Sequence, residues 1–229
     1  MADAVDFDRP IPLFPLNQCV LMPHVAAPLH VFEPRYRAMT EYALEGSHLI
    51  ALAVFAGEQW KSNYAGNPPL REHVCVGQIA RHEEVNDGRY NLLLQGLCRA
   101  RIVEELPLAD GGYREAFMEP TESADVMEID LSEDRQRIKA LLEDELMRQL
   151  KPVAALHNWL EEDIPTRTML DLAVMALCPG LEERYAMLAE PRADRRAAWV
   201  ENHLRRTHRT LALAAAQGSA TDEEGFPLN

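Results

Sequence analysis

Residues 11–39, IPLFPLNQCVLMPHVAAPLHVFEPRYRAM, decide the reading of the fold. Pro12, Pro15, Pro23 and Pro28 each remove a backbone donor and bias the preceding residue toward extended geometry, so the stretch predicts short, edge-like strands and bends rather than one long helix. At its end Glu33, Pro34 and Arg35 read as a helix entrance, because proline suits the first helical position, where its missing N–H would have had no partner. The predicted helix runs over 34–46 and stops at Gly46. Glu33 is expected to cap it or to favour its positive end, and Arg35 to pair with a nearby carboxylate.

Outward from this stretch, residues 48–56 (HLIALAVFA) form a nearly continuous apolar run of the length of a strand buried on both faces. Residues 57–72 are polar, with Gly66 and a Pro68–Pro69 pair, and predict a long loop. Trp60 and Tyr64 lie in it and are expected to fold back over the edge of the sheet, the other reading being an exposed binding loop. Partial alternation over 74–85 and 89–95 around Asn86, Asp87 and Gly88 predicts a hairpin. Gly96 interrupts the pattern before it resumes over 97–103, which predicts a bulge or sharp bend in a curled sheet. Arg99 and Arg101 are expected on a solvated strand face. A last strand follows over 113–119.

Two ordered motifs resemble the N-terminal, substrate-binding domain of Lon proteases. One is P-L-F-P-L followed by P-L-H-V-F-E-P-R-Y-R-A-M. The other is V-G-Q-I-A followed by D-G-R-Y-N-L-L-L-Q-G-L-C-R-A-R-I, in which Gly96 precedes a strand containing Arg99. The resemblance implies a free-standing form of that domain with its PUA-like pseudobarrel, a fold shared with part of cereblon. The later half carries a weaker likeness to the helical extension that follows the barrel in Lon, through D-L-A-V-M-A-L, E-E-R-Y-A-M-L and an arginine-rich helix.

The fold class read from the chain is therefore α+β: a small β pseudobarrel of about six strands with one early helix, then an α-helical bundle. The expected division is a disordered N-terminus over 1–9, the barrel over 10–119, a linker over 120–128, a helical subdomain over 129–212 and a disordered acidic tail over 213–229. In the helical part, Ile138, Leu141, Leu142, Leu146 and Leu150 share one face, and Asp130 or Ser132 offers a cap. Pro152 ends or kinks that helix. Residues 168–177 are apolar nearly all round and predict the central helix of the bundle, stopped by Pro179 and Gly180. Further helices are expected over 181–189 and 191–212.

The 229 residues carry a formal net charge of −14. Acidic residues outnumber basic ones on both sides of Glu119, which fits a nucleic-acid partner poorly. No apolar span approaches the roughly 20 residues of a membrane helix, and the acidic N-terminus does not read as a secretory signal. Widely spaced Cys19, Cys75, Cys98 and Cys178 suit reduced, buried thiols, so a cytoplasmic setting is expected.

Catalytic signatures are absent from the sequence. Lys61, Lys139 and Lys151 follow Trp60, Ile138 and Leu150, so no Gly-Lys phosphate loop is present, and no serine sits in a Ser-Lys setting. His73 with Cys75, and His203 with His208, do not make up the three or four ligands a zinc ion requires. No enzyme, cofactor or metal is expected.

What the resemblance implies is a non-catalytic module that binds exposed apolar segments of unfolded or flexible polypeptides, or acts as an adaptor to a protease or other machine. Met22, Val25, Trp60 and Tyr64, at or beside bends, are the candidate contact residues, and a polar loop beside residues 28–32 would form a peptide-binding lip. The alternatives are a small-molecule pocket, a hydrolase built on Cys98 or Cys178, and, less favoured, RNA binding.

Overall fold

The computed structural model describes residues 5–64, 66–85, 87–123, 127–160, 164–178 and 180–223. It divides into two compact units, residues 1–123 with 178–191, and 124–177 with 192–229. This division differs from the expected one because the helix that follows Gly180 groups with the strands.

In the first unit the strands are β1 (Ile11–Leu16), β2 (Ala26–Val31), β3 (Leu49–Val54), β4 (His73–Val85), β5 (Arg89–Glu105) and β6 (Arg114–Pro120). The helices are α1 (Pro34–Glu45) and α6 (Leu181–Ala189). The strand order is β2-β5-β4-β3-β1-β6, and β5 pairs with β6 as well. The mixed sheet therefore curls back on itself through its longest strand without closing as a regular barrel. Alternate residues face the interior: Ile11 and Leu13, Leu49, Ala51 and Ala53, Val74 and Val76, Cys98 and Ala100, Ala116 and Met118 form one buried cluster. Alanines at four of these positions let the strands curl tightly, because a small barrel has little interior to fill.

The prolines do not confine β1 to an edge. It lies between β3, parallel over Leu13–Leu16, and β6, antiparallel over Ile11–Leu13. Pro12 precedes the β3 ladder and Pro15 follows the β6 ladder, so each proline lies beside only one partner strand. By contrast β2, which carries Pro28, pairs only with β5 and is the edge that its proline predicts.

Gly96 marks the bend. The register passes from Val76↔Cys98 to Gly77↔Gly96, leaving Leu97 as the extra residue of a bulge. The backbone N–H of Gly96 donates to Val25 O at 2.8 Å, and that of His24 donates to Gly96 O at 2.9 Å. A Cβ at residue 96 would lie 2.2 Å from Met22 O. The close approach explains why glycine stands there. It also buries Met22 completely, so Met22 is a core residue and not a surface contact as expected from its place beside Pro23.

Arg99 is likewise buried rather than solvated, 1% exposed, and its Nη1 lies 3.3 Å from Glu122. By strand alternation Arg99 lies on the face opposite Cys98 and Ala100, which enter the interior cluster, yet that face is covered at this point as well. Arg101 stays half-buried and pairs with Glu119 at 2.6 Å. The expected disordered N-terminus also differs: Val5 belongs to the core cluster with Phe7 packed against it, while residues 1–4 lie outside the described residues.

The second unit holds α2 (Ser132–Leu142), α3 (Glu145–Arg148), α4 (Lys151–Leu160), α5 (Thr166–Leu177) and α7 (Ala193–Glu223). The single helix expected before Pro152 is broken at Asp144, whose carboxylate accepts from the N–H groups of Leu146 and Met147 and so caps α3. Pro152 begins α4 rather than ending its predecessor. Asp130 accepts from Met127 N at 2.9 Å and does not cap α2. Met169, Leu170, Ala173 and Val174 bury α5 as predicted. The last helix extends to Glu223, past the expected boundary at 212. Asn86, Pro179, the linker residues 124–126 and the last tail residues 224–229 lie outside the described residues.

Gly96→Ala should lower the unfolding midpoint, because displacing the Met22 carbonyl is an overpacking cost of about 1–3 kcal/mol, each worth about 2–4 °C in a chain of this size. A thermal melt followed by circular dichroism checks this. A midpoint unchanged from the parent would show that the approach at Gly96 does not constrain the bend.

Candidate functional site

The loop between β3 and β4 is held at its base by the backbone. Ala56 N donates to Pro69 O and Arg71 N to Val54 O, each at 2.8 Å, and Arg114 Nη1 donates to Pro68 O at 2.7 Å. Phe55, just past β3, is buried, and both loop aromatics turn back onto it. Trp60 stacks at 5.9 Å between centroids, and Tyr64 meets it edge-on at the same separation. Trp60 remains half-buried, while Tyr64 is 37% exposed. The aromatic rings thus cover the sheet edge while keeping part of their surface in solvent.

The loop tip reaches the entrance of α1. Tyr64 donates its hydroxyl to Glu33 Oε1 at 2.7 Å, and Arg35 Nε donates to Glu33 Oε2 at 3.1 Å. Glu33 occupies the N-cap position with Pro34 next, but its carboxylate makes no cap bond; it serves Tyr64 and Arg35 instead. The Arg35 guanidinium lies 4.6 Å from the Tyr36 ring centroid and 4.8 Å from that of Tyr64. Burial and then the Glu33 hydrogen bond raise the Tyr64 pKa above the usual phenol value. Sequence reasoning named Glu33, Arg35 and Tyr64 separately. Their junction, 31 residues apart in sequence, carried no local signal.

Val25 is half-buried and lies beside Gly96, on the opposite end of β2 from Phe32, which is 59% exposed. The four expected contact residues are therefore not one patch: Met22 is internal, Trp60 and Tyr64 share the Phe55 cluster, and Val25 belongs to the Gly96 contact. Phe32, which ends the stretch expected to border a peptide-binding lip but was not itself named as a contact, adjoins Glu33. Its ring centroid lies 6.1 Å from that of His30.

A cleft of about 540 Å3 adjoins the aromatic loop, lined by residues that include Asn17, Gln18, Trp60, Arg71, Glu182 and Arg184. Arg71 Nη1 donates to Glu182 Oε2 at 2.8 Å, with a second contact from Nη2 to the other carboxylate oxygen. The guanidinium packs 4.6 Å from the Tyr185 ring centroid, and the Tyr185 hydroxyl accepts from His73 N at 3.0 Å. The hydrogen bond from Arg71 lowers the pKa of Glu182.

Burial disfavours the thiolate form of Cys98 and Cys178. Burial, followed by the nearby Glu122, pushes Cys98 up to about 11, and burial with Glu183 pushes Cys178 up to about 12. Among the described residues no group of three or more His, Cys, Asp or Glu side chains could hold a metal ion. No helix among them is long and apolar enough to cross a membrane.

A folded pKa raised above the unfolded value leaves stability intact below the unfolded pKa and removes it as pH rises through the folded one. With Cys98 near 11, Cys178 near 12 and Tyr113 also raised, to about 12 by burial and then Glu115, the denaturation midpoint should hold up to about pH 9 and fall steadily above it. Urea titrations from pH 7 to pH 11 measure it; a midpoint independent of pH across that range would contradict the burial of these groups.

The sequence matches the family described as "ATP-dependent protease La (LON) substrate-binding domain" over residues 10–206. The Lon protease of Trichlorobacter lovleyi is 27% identical over 220 residues, covering 93% of this chain and 26% of that protein. The Lon protease of Chloroflexus aggregans is 33% identical over 104 residues, 44% of this chain and 12% of that protein. The chain thus spans about a quarter or less of the length of these relatives. Among solved structures, the N-terminal domain of Mycobacterium avium complex Lon protease superposes with a TM-score of 0.66 at 13% identity, covering 86% of this chain and 98% of that one. A Lon N-terminal domain protein from Xanthomonas campestris gives 0.58 at 19% identity, with coverage of 84% and 96%. At these identities the structural likeness establishes the fold, and the sequence match, extending over most of the chain, places the protein in the family of Lon substrate-binding domains.

Proposed function

We propose that this protein is a non-catalytic recognition module that binds exposed apolar segments of unfolded or flexible polypeptides through the aromatic loop of its barrel unit. The observation that carries the reading is the seating of Trp60 and Tyr64 on buried Phe55. It presents two partly exposed rings on a fixed base, so little ordering is required when a partner covers them. The unpaired side of β2 offers main-chain groups to an extended segment, with Phe32 at its end. An adaptor role uses the same surface with a folded machine as the occupant, and a cytoplasmic setting agrees with the buried thiols.

Two alternatives lose support on specific grounds. A thiol hydrolase needs a thiolate, which burial of Cys98 and Cys178 disfavours. RNA binding needs a basic face, whereas Arg101, Arg114, Arg137 and Arg205 are each bonded to a carboxylate.

Fluorescence anisotropy with reduced, alkylated α-lactalbumin, which stays unfolded in buffer, should give micromolar affinity. Trp60→Ala should weaken it about five- to tenfold as the loss of a central aromatic contact. Affinity unchanged by Trp60→Ala would move the site elsewhere, and no association at hundreds of micromolar would overturn the reading.

A further inference from the structure

We infer that the cleft beside the aromatic loop captures the free C-terminal carboxylate of a bound polypeptide, with the last side chain, apolar, against Trp60. The inference rests on the recognition role proposed above and names the part of the polypeptide that is read.

Its lining carries three cations, Lys61, Arg71 and Arg184, against two carboxylates, Glu58 and Glu182, in a chain whose net charge is −14. Lys61 pairs with Glu58 and Arg71 with Glu182, so the lining is cationic by one charge, that of Arg184, whose Nε donates to Cys178 O. Arg71 is already arranged for a carboxylate, since it holds both oxygens of Glu182 in the forked geometry that guanidinium groups favour. Glu182, however, is 74% exposed, so this pair adds little to stability and its carboxylate leaves readily for water. Arg71 has a second support besides this pair. Its guanidinium packs on Tyr185, which is fixed in turn by the His73 N–H.

Glu182 is in this sense a stand-in: a carboxylate occupying the position that a ligand carboxylate would take. Trp60, stacked on Phe55, lines the same cleft of about 540 Å3. A chain terminus is the peptide unit that bears a carboxylate and a side chain on the same Cα, so it can meet both Arg71 and Trp60. An internal acidic residue would have to supply its apolar contact from a neighbour. Asn17 and Gln18 add side-chain amides able to pair with the last peptide group.

The test uses labelled hexapeptides ending in phenylalanine, one with a free carboxylate, one amidated, and one amidated with an internal aspartate. Anisotropy on the full chain should show the free acid binding about tenfold tighter than either amide. Arg71→Gln should erase that difference. Glu182→Gln, an exposed substitution, should strengthen the free acid severalfold and leave the amides unchanged. Equal binding of acid and amide, equal binding of the internal aspartate peptide, or indifference to Glu182→Gln would each overturn the inference. Unfolded α-lactalbumin separates the two levels: if it binds while the peptides are not discriminated, the terminus-reading role falls and the recognition reading stands. If it does not bind either, both fall.

Discussion

The structure of the barrel unit depends on one backbone contact, the approach of the Met22 carbonyl to Gly96. It lets the bulge at Leu97 bend β5, so that the first part of the strand pairs with β2 and the last part with β6. Without that bend the sheet would remain open. With it, alternate residues of five strands meet in one interior cluster, and the opening stretch of the chain is pinned against the middle of β5 through His24 and Val25. A hydrogen-bonded approach of this kind admits no Cβ, which makes Gly96 a requirement of topology rather than of turn geometry.

Much of this was legible in the sequence. The Pro34 helix entrance, the doubly buried β3, the hairpin between β4 and β5 and the interruption at Gly96 all follow from local chemistry. What escaped was decided by partners distant in sequence. The prolines of β1 pointed to an edge, yet the two ladders flank them. Arg99 looked like a solvated strand residue, but the face opposite Cys98 and Ala100 is covered too, and its guanidinium reaches Glu122. Met22 sat beside a proline bend and was read as exposed, whereas the contact with Gly96 buries it. The helix expected after Gly180 carried no sign that it would group with strands.

The candidate site was legible only in pieces. Trp60 and Tyr64 stood out as aromatics in a polar loop, and their return over the sheet edge was predicted, though not Phe55 as the residue they meet. That Tyr64 would reach Glu33 was not, because a tyrosine–carboxylate bond across the fold leaves no periodic trace. The consequence is chemical. Glu33 gives up helix capping, which the fixed φ of Pro34 makes less necessary, and holds the loop tip instead. Likewise the forked pair of Arg71 and Glu182 could not be seen before α6 was placed beside β4. These polar contacts orient the loop, while burial of Phe55 supplies the apolar base on which any recognition surface here must stand.

The central claim is that polypeptide recognition occurs on the loop over Phe55 in the barrel unit. Amide hydrogen exchange of the full chain, with and without excess unfolded α-lactalbumin, addresses it most directly. The account predicts added protection in the loop residues around Trp60 and Tyr64, with the helices α2 to α5 unchanged. Protection confined to those helices, with the loop exchanging as in the free protein, would contradict it.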